Sequence, residues 1–387
     1  MVYTKEIDEK GTRVAQLNPQ NKIHIREIND TVVDQLLKNV QECPDADFLG
    51  SHSSPNEPYS WISYKDFVKD VKVFGSGLQE IFKSQKESKH VGIYGINCYE
   101  WILAQFSLVF YSVVPVPLYD TLGSSSIEFV INLTNLETCL CYDEKKIQTL
   151  LKNQEKYPQL KNFIVMKISD KDAWETMIKE NPNSKFYIYE QVRSLGRENI
   201  IDFKKPKIDD TYLINFTSGS TGNPKGVIVT HAMVMKTISS VYLMKEFNYM
   251  RKGDVYFSFL PLAHILEQMM FASIGFYSGH IPSLLDDIKT LSPTLVVFVP
   301  RVLSRIYQKA LEKVSGSPLK KAIFKSSINL ETKLRKAGIK PGSKLIKRVI
   351  FGKLNSMLGG RIRIIITGSA PCPPKISKFI RSALDVT

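Results

Sequence analysis

Phe216-Thr-Ser-Gly-Ser-Thr-Gly-Asn-Pro-Lys-Gly-Val-Ile-Val-Thr-His231 is the stretch on which the reading of this 387-residue chain turns. Four hydroxyl side chains, three glycines and one lysine fall within residues 216–226, directly after the apolar run Thr211-Tyr-Leu-Ile-Asn-Phe216. Glycines let successive backbone N–H groups turn toward one point, and such a nest binds anions. Thr217, Ser218, Ser220 and Thr221 add donors, and Lys225 adds a point charge suited to phosphate. The spacing excludes two common phosphate loops. Pro224 precedes Lys225 and Gly226 follows it, so the Walker pattern G-x-x-x-x-G-K-[ST] fails, and no G-x-G-x-x-G triple is present. A Ser/Gly-rich surface linker is the bland alternative. The apolar segments on both sides, the second being Val227-Ile-Val229, argue against it.

Outward from the loop, a chain of this length exceeds one typical domain. Its 43% hydrophobic and 23% charged content is that of an ordinary globular protein. Five cysteines, odd in number and mostly in apolar runs, with a polar N-terminus, read as reduced cytosolic thiols. Cys139-x-Cys141 has no second pair or histidine cluster nearby, so it does not read as a zinc site. The most hydrophobic stretch, Trp101–Tyr119, is broken by Pro115 and Pro117; it reads as a buried helix entering a buried strand rather than a membrane span.

The net charge of +14 is unevenly placed: residues 320–363 hold thirteen Lys and Arg against the single acid Glu331. At the start of that segment, from the residue just before it, Leu319, Ile323, Phe324, Ile328, Leu330 and Leu334 recur at near-helical spacing among the lysines. Such a basic amphipathic helix suits an anionic membrane surface. The competing reading is a helix whose apolar face packs on its own domain. No motif supports nucleic acid.

Along the chain, residues 1–55 read as a polar N-terminal extension with one helix-like stretch near Thr31–Val40. From Tyr59 strand and helix alternate: strands at Val91–Gly95, Pro115–Tyr119, Thr138–Tyr142 and Phe163–Lys167, with helices between them. Residues 168–210, charged and punctuated by proline, read as a connection between two sheets. A second βα series contains the phosphate-loop strand, Asp254–Leu260, Pro293–Val299 and Ile362–Thr367. The fold class is therefore α/β with two doubly wound sheets. Ligands of open sheets bind beyond the carboxyl ends of strands. The glycine loop, Pro261–His264, Val299–Arg301 and Gly368–Pro371 are all expected there.

TSGSTGNPKG resembles the phosphate loop of adenylate-forming (AMP-binding) enzymes, the superfamily of acyl-CoA synthetases, luciferases and nonribosomal-peptide adenylation domains. Six further segments resemble its long-chain acyl-CoA synthetase branch: Asn97–Trp101, Pro117–Gly123, Leu260–Glu267, Leu284–Asp287, Val299–Arg301 with Arg305–Tyr307, and Thr367–Pro371. They are co-linear with that branch. The resemblance implies an adenylation domain over residues 56–387 and ATP-dependent activation of a long-chain fatty acid through an acyl-adenylate to acyl-CoA. It implies ATP, Mg2+ and CoA as cofactors or co-substrates. It carries ATP binding onto Thr217, Ser218, Gly219, Ser220, Thr221, Gly222 and Lys225, magnesium ligation onto Thr217, and adenine packing onto Gly368, Ser369 and Ala370. His264, with Lys225, takes the catalytic role, holding the carboxylate in line while the apolar residues after it wall an acyl tunnel; helix capping is the alternative for His264. His280 stands where long-chain members often carry aspartate. The family's Tyr-Gly-x-Thr-Glu motif, hinge and small C-terminal lid domain do not follow Thr387, so the expectation is a chain incomplete at the C-terminus and inactive alone, or else a truncated pseudoenzyme that binds nucleotide or acyl ligand without turnover. Peripheral association with the cytosolic face of the endoplasmic reticulum, a peroxisome or a mitochondrion is the expected location.

Overall fold

The structure, a computed structural model, describes residues 29–384 apart from 55–56, 84–88, 120–122, 218–221, 244–252, 269–271, 337–350, 353 and 369, and also a short antiparallel pair, Thr4–Glu6 (β1) with Arg13–Ala15 (β2). Two larger sheets carry the molecule. The first has the order β6-β5-β7-β8-β9, all parallel, from His90–Tyr94 (β5), Val114–Leu118 (β6), Thr138–Cys141 (β7), Asn162–Val165 (β8) and Lys185–Ile188 (β9). Pro115 and Pro117 fall in β6, the end strand of this sheet, where a missing N–H costs no ladder bond.

The second sheet has the order β15-β14-β12-β13-β3-β4, from Asp47–Ser51 (β3), Ser60–Ser63 (β4), Val255–Ser258 (β12), Ser273–Phe276 (β13), Leu295–Val297 (β14) and Ile364–Ile366 (β15). All its pairings are parallel except β3 with β4. β15 is an edge strand among the described residues. Between the sheets stand Val32–Glu42 (α1), Tyr64–Phe82 (α2) and Tyr99–Val109 (α3), whose side chains join the inner faces of both sheets in one continuous core. Side chains alternate strictly. In β7, Leu140 points into this shared core while Cys139 and Cys141 point to the outer layer of Ser124–Leu133 (α4), Glu144–Leu151 (α5) and Lys171–Glu180 (α6). In β12, Tyr256 faces inward, and Phe257 faces an outer layer of helices beyond the second sheet.

Three expectations are corrected. Residues 1–55 are not an extension throughout, because α1 and β3 are built into the core and β3 pairs with β13. The polar composition around them hid Phe48 and Leu49, both buried. Residues 168–210 are not merely a connection: they supply α6, β9 and Tyr189–Glu198 (α7). The close seat of α7 on α2 depends on two glycines, since a Cβ at Gly77 would lie 1.9 Å from Val192 O and one at Gly196 would lie 1.8 Å from Val73 O. Thirdly, the phosphate-loop strand does not join the parallel series. Thr211–Thr217 (β10) pairs antiparallel with Lys225–Thr230 (β11) as a separate two-stranded sheet.

The apolar stretch at Trp101–Tyr119 divides as expected into α3 and β6 around a tight turn at Ser112, which has φ 55°. Among the described residues no helix is long and apolar enough to cross a membrane. All five cysteines are free thiols.

Candidate active site

β15, β14 and β12 are parallel neighbours, so the loops leaving their carboxyl ends open on one edge of the second sheet. Those loops are Gly368–Pro371, Val299–Arg301 and Phe259–His264, three of the four segments expected to converge. The fourth is the mouth of the β10–β11 hairpin, where Thr217 and Lys225 face each other in register and both are exposed. Gly222 has φ +103°, a conformation that disfavours any side chain, while nothing crowds the site of its missing Cβ. At Gly226 space is tight instead: a Cβ there would sit 3.0 Å from the Phe216 ring.

Two residues connect the hairpin and the sheet edges. Tyr119, just past β6, donates its hydroxyl hydrogen bond to Phe216 O, and its ring centroid lies 5.6 Å from that of His264. Burial raises the Tyr119 hydroxyl pKa, so it remains a donor. Asn97, buried in the loop after β5, donates to Ser258 Oγ at 2.9 Å and Leu260 O at 2.6 Å and accepts from the Leu262 N–H at 2.9 Å. One amide thus ties the carboxyl end of the first sheet to the turn that presents His264. His264 itself is exposed; its N–H donates to Pro261 O and its carbonyl accepts from the Glu267 N–H.

His264 opens a one-turn helix, Ile265–Gln268 (α9), held by a buried polar group. Tyr256 donates to Glu267 Oε2 at 2.5 Å, and Glu267 is 1% exposed. Burial pushes its carboxyl up to about 8, against the pull of the Tyr256 and Ser258 hydroxyls and the Phe259 and Leu260 backbone N–H groups. Burial prevails because Oε1 accepts no well-formed hydrogen bond. Gln105 of α3 donates from Nε2 to Tyr212 OH and to Gln268 Oε1, and Gln268 in turn donates to Leu262 O. These groups line one end of a narrow cavity of about 40 Å³ whose other walls include Val32, Phe48, Ile102 and Ile274.

At the far end of the hairpin, His231 begins His231–Leu243 (α8) and is 1% exposed. Its Nδ1 accepts from the Val32 N–H, the first helical amide of α1. Burial lowers its pKa to about 4, which keeps the ring a neutral acceptor.

Of the residues singled out from the sequence, Thr217, Gly222, Lys225, His264, Gly368 and Ala370 fall on the loops just described. Ser218, Gly219, Ser220, Thr221 and Ser369 lie outside the described residues. Arg301 is exposed and makes no ion pair among the described residues. Sequence reasoning passed over Tyr119, Asn97, Gln105 and Glu267. Three of them sat in quoted motifs, PLYDTLG, NCYEW and LPLAHILE, but their role is to brace the site through contacts distant in sequence, for which no local signal exists.

A doubly wound pair of sheets with a Gly/Ser/Thr hairpin at their carboxyl edge defines the class, and the chain belongs to the AMP-binding enzyme family, whose description matches residues 36–386. It is 33% identical over 388 residues to the long-chain-fatty-acid–CoA ligase 5 of Mus musculus, covering 97% of this chain and 56% of that protein. It is 34% identical over 369 residues to the long-chain-fatty-acid–CoA ligase 1 of Homo sapiens, covering 92% and 52%. The chain thus spans about half the length of the curated relatives it matches. In fold it is similar to the adenylation domain of a carboxylate reductase from Mycobacterium chelonae, with TM-score 0.74 at 16% identity over 94% of this chain and 57% of that one. The corresponding domain from Segniliparus rugosus, in complex with AMP and a co-purified carboxylic acid, gives TM-score 0.71 at 16% identity over 92% and 59%.

Proposed function

We propose that this chain carries the nucleotide- and carboxylate-binding part of a long-chain fatty acid–CoA ligase, which joins a fatty acid to the α-phosphate of ATP with release of pyrophosphate and passes the acyl group to the thiol of CoA. The observation that carries the reading is the placement of the exposed Thr217–Lys225 mouth and of His264 around one tyrosine, Tyr119. The residues fit a nucleoside triphosphate. Lys225 offers charge to the outer phosphates, and the hairpin backbone turning at Gly222 leaves room for them. They also fit Mg2+, a hard cation that takes oxygen ligands and retains waters, for which Thr217 Oγ1 is the protein donor; when bound, the ion would offset charge on the phosphates. His264 stands at the exposed end of a rigidly braced turn, so its ring can donate to a carboxylate lying across the edge, holding it in line. Gly368 and Ala370 leave an open surface on the neighbouring loop for a flat base.

The test is ATP binding by calorimetry, with fatty-acid-dependent ATP–pyrophosphate exchange alongside. Lys225→Ala is expected to weaken ATP binding at least tenfold, and His264→Ala to lower exchange while ATP binding persists. Unchanged ATP affinity in Lys225→Ala refutes the hairpin assignment. ATP binding with no exchange under any fatty acid leaves the nucleotide site standing and favours the reading in which this chain binds nucleotide without turnover.

A further inference from the structure

Helix α12, Pro318–Lys336, follows Pro300–Ser315 (α11) and packs against α11 and the later helix Pro374–Leu384 (α13). Its anchor is Phe324, 3% exposed, whose ring centroid lies 5.7 Å from Phe351 and 5.6 Å from Phe379. Ile328, one turn on, packs against the same cluster. Among the described apolar side chains of the helix, these two face inward.

Three other apolar residues of the helix point elsewhere. Leu319 is 70% exposed, Ile323 46% and Leu330 54%. At roughly 100° per residue these three fall within about 40° of one another, on the side away from Phe324 and Ile328. Ser326 and Lys333, both exposed, lie on the same side. The helix is therefore amphipathic twice over: one stripe closes the domain, and a second stripe of branched aliphatic side chains faces outward. Isolated exposed leucines are common; an aligned row on one helix face is not.

The net charge of the helix narrows what covers the stripe. Residues 318–336 hold six Lys and Arg against the single acid Glu331. A second copy of this chain laid on the stripe would bring two such positive helices together, which is repelled. A polyanion without an apolar phase, such as a nucleic acid, would answer the lysines and leave the leucines in water. An anionic bilayer interface answers both, taking the aliphatic stripe into the headgroup–acyl boundary while exposed Lys333 and the net positive charge of the helix meet acidic headgroups. We infer that the outward face of α12 is a peripheral membrane-docking surface, with Leu319, Ile323 and Leu330 as the inserted side chains. This does not depend on the ligase reading and would hold without nucleotide.

The experiment is vesicle flotation of the protein, without ATP, on phosphatidylcholine vesicles with and without phosphatidylserine, compared with the variant carrying Leu319→Ser, Ile323→Ser and Leu330→Ser. Single Leu319→Ser serves as the milder variant and Leu133→Ser, an exposed leucine on α4, as the control. Expected are flotation with phosphatidylserine vesicles that weakens as salt rises, at least a tenfold loss of partitioning in the triple variant, a smaller loss in Leu319→Ser, and no change in the control. Circular dichroism should be alike for all four. The inference is overturned if the protein does not float with phosphatidylserine vesicles, if it floats equally well without phosphatidylserine, or if the triple variant partitions like the parent. It is overturned equally if light scattering finds a dimer that the triple variant abolishes.

Discussion

Glu267→Gln should stabilise the protein progressively as pH rises. In the folded chain the carboxyl is pushed up to about 8 from an ordinary 4.5, because it is buried against Tyr256 with Oε1 unpartnered. A raised folded-state pKa contributes stability that is complete below the unfolded value and is lost as pH climbs through the folded value. The window is therefore pH 4.5 to 8. At about 1.36 kcal/mol per pKa unit, the span of the shift corresponds to at most about 5 kcal/mol. Glutamine is neutral at every pH and still accepts from the Tyr256 hydroxyl, so the substitution removes the titration and keeps the bond. Urea unfolding of both proteins at pH 5, 7 and 9 reads the result. The difference in unfolding free energy should be small at pH 5 and favour the variant by several kcal/mol at pH 9. Above pH 8 the parent should also loosen the α9 turn that carries His264. A difference that stays constant from pH 5 to pH 9 would refute the claim that Glu267 is held neutral by burial.

Three further outcomes follow from single residues. Asn97→Ala removes three hydrogen bonds and leaves the buried Leu262 N–H without its acceptor, an expected loss of about 2–4 kcal/mol. It should appear in thermal unfolding and as faster amide exchange at Leu262. Gly196→Ala, normally favourable within a helix, should destabilise by about 1–3 kcal/mol because its Cβ collides with Val73 O; stabilisation measured in urea would contradict the α2–α7 contact. His231, with a pKa lowered to about 4, favours folding above pH 6.5 and loses that contribution as pH falls to about 4. The loss is at most about 3 kcal/mol. His231→Gln should flatten the acid limb of the stability profile.

The sheet-forming order was largely legible from the sequence because β5 to β8 and the helices between them obey local rules: alternating apolar residues, short turns and an Asp cap at Asp143. Where tertiary contacts decide, legibility failed. Lys185–Ile188 carries only partly buried side chains and looks like linker, yet its backbone completes a ladder with β8. Phe48 and Leu49 are two apolar residues in polar surroundings, and only pairing with β13 makes their segment a strand. The glycine loop was legible as a phosphate loop between two apolar runs, but the antiparallel pairing of β10 with β11 was not. Tyr119, Asn97 and Glu267 act by reaching across 97, 165 and 11 residues of sequence respectively. A single sequence records no trace of such partners. The basic helix divided between its two readings, since Phe324 and Ile328 pack inward while Leu319, Ile323 and Leu330 do not.

The second sheet has an order-of-assembly problem. β3 and β4 leave the ribosome first, but the parallel neighbour of β3 is β13, and Ser273 Oγ donates to Asp47 O across 226 residues. The first sheet is contiguous in sequence, from β5 to β9, and can close as soon as it is synthesised. The β3–β4 hairpin must wait through that event without its β13 neighbour. Pairing across so long a loop is slow, since the closure entropy precedes any reward. During synthesis the hairpin is thus the segment most open to chaperones, and to mispairing with another nascent chain.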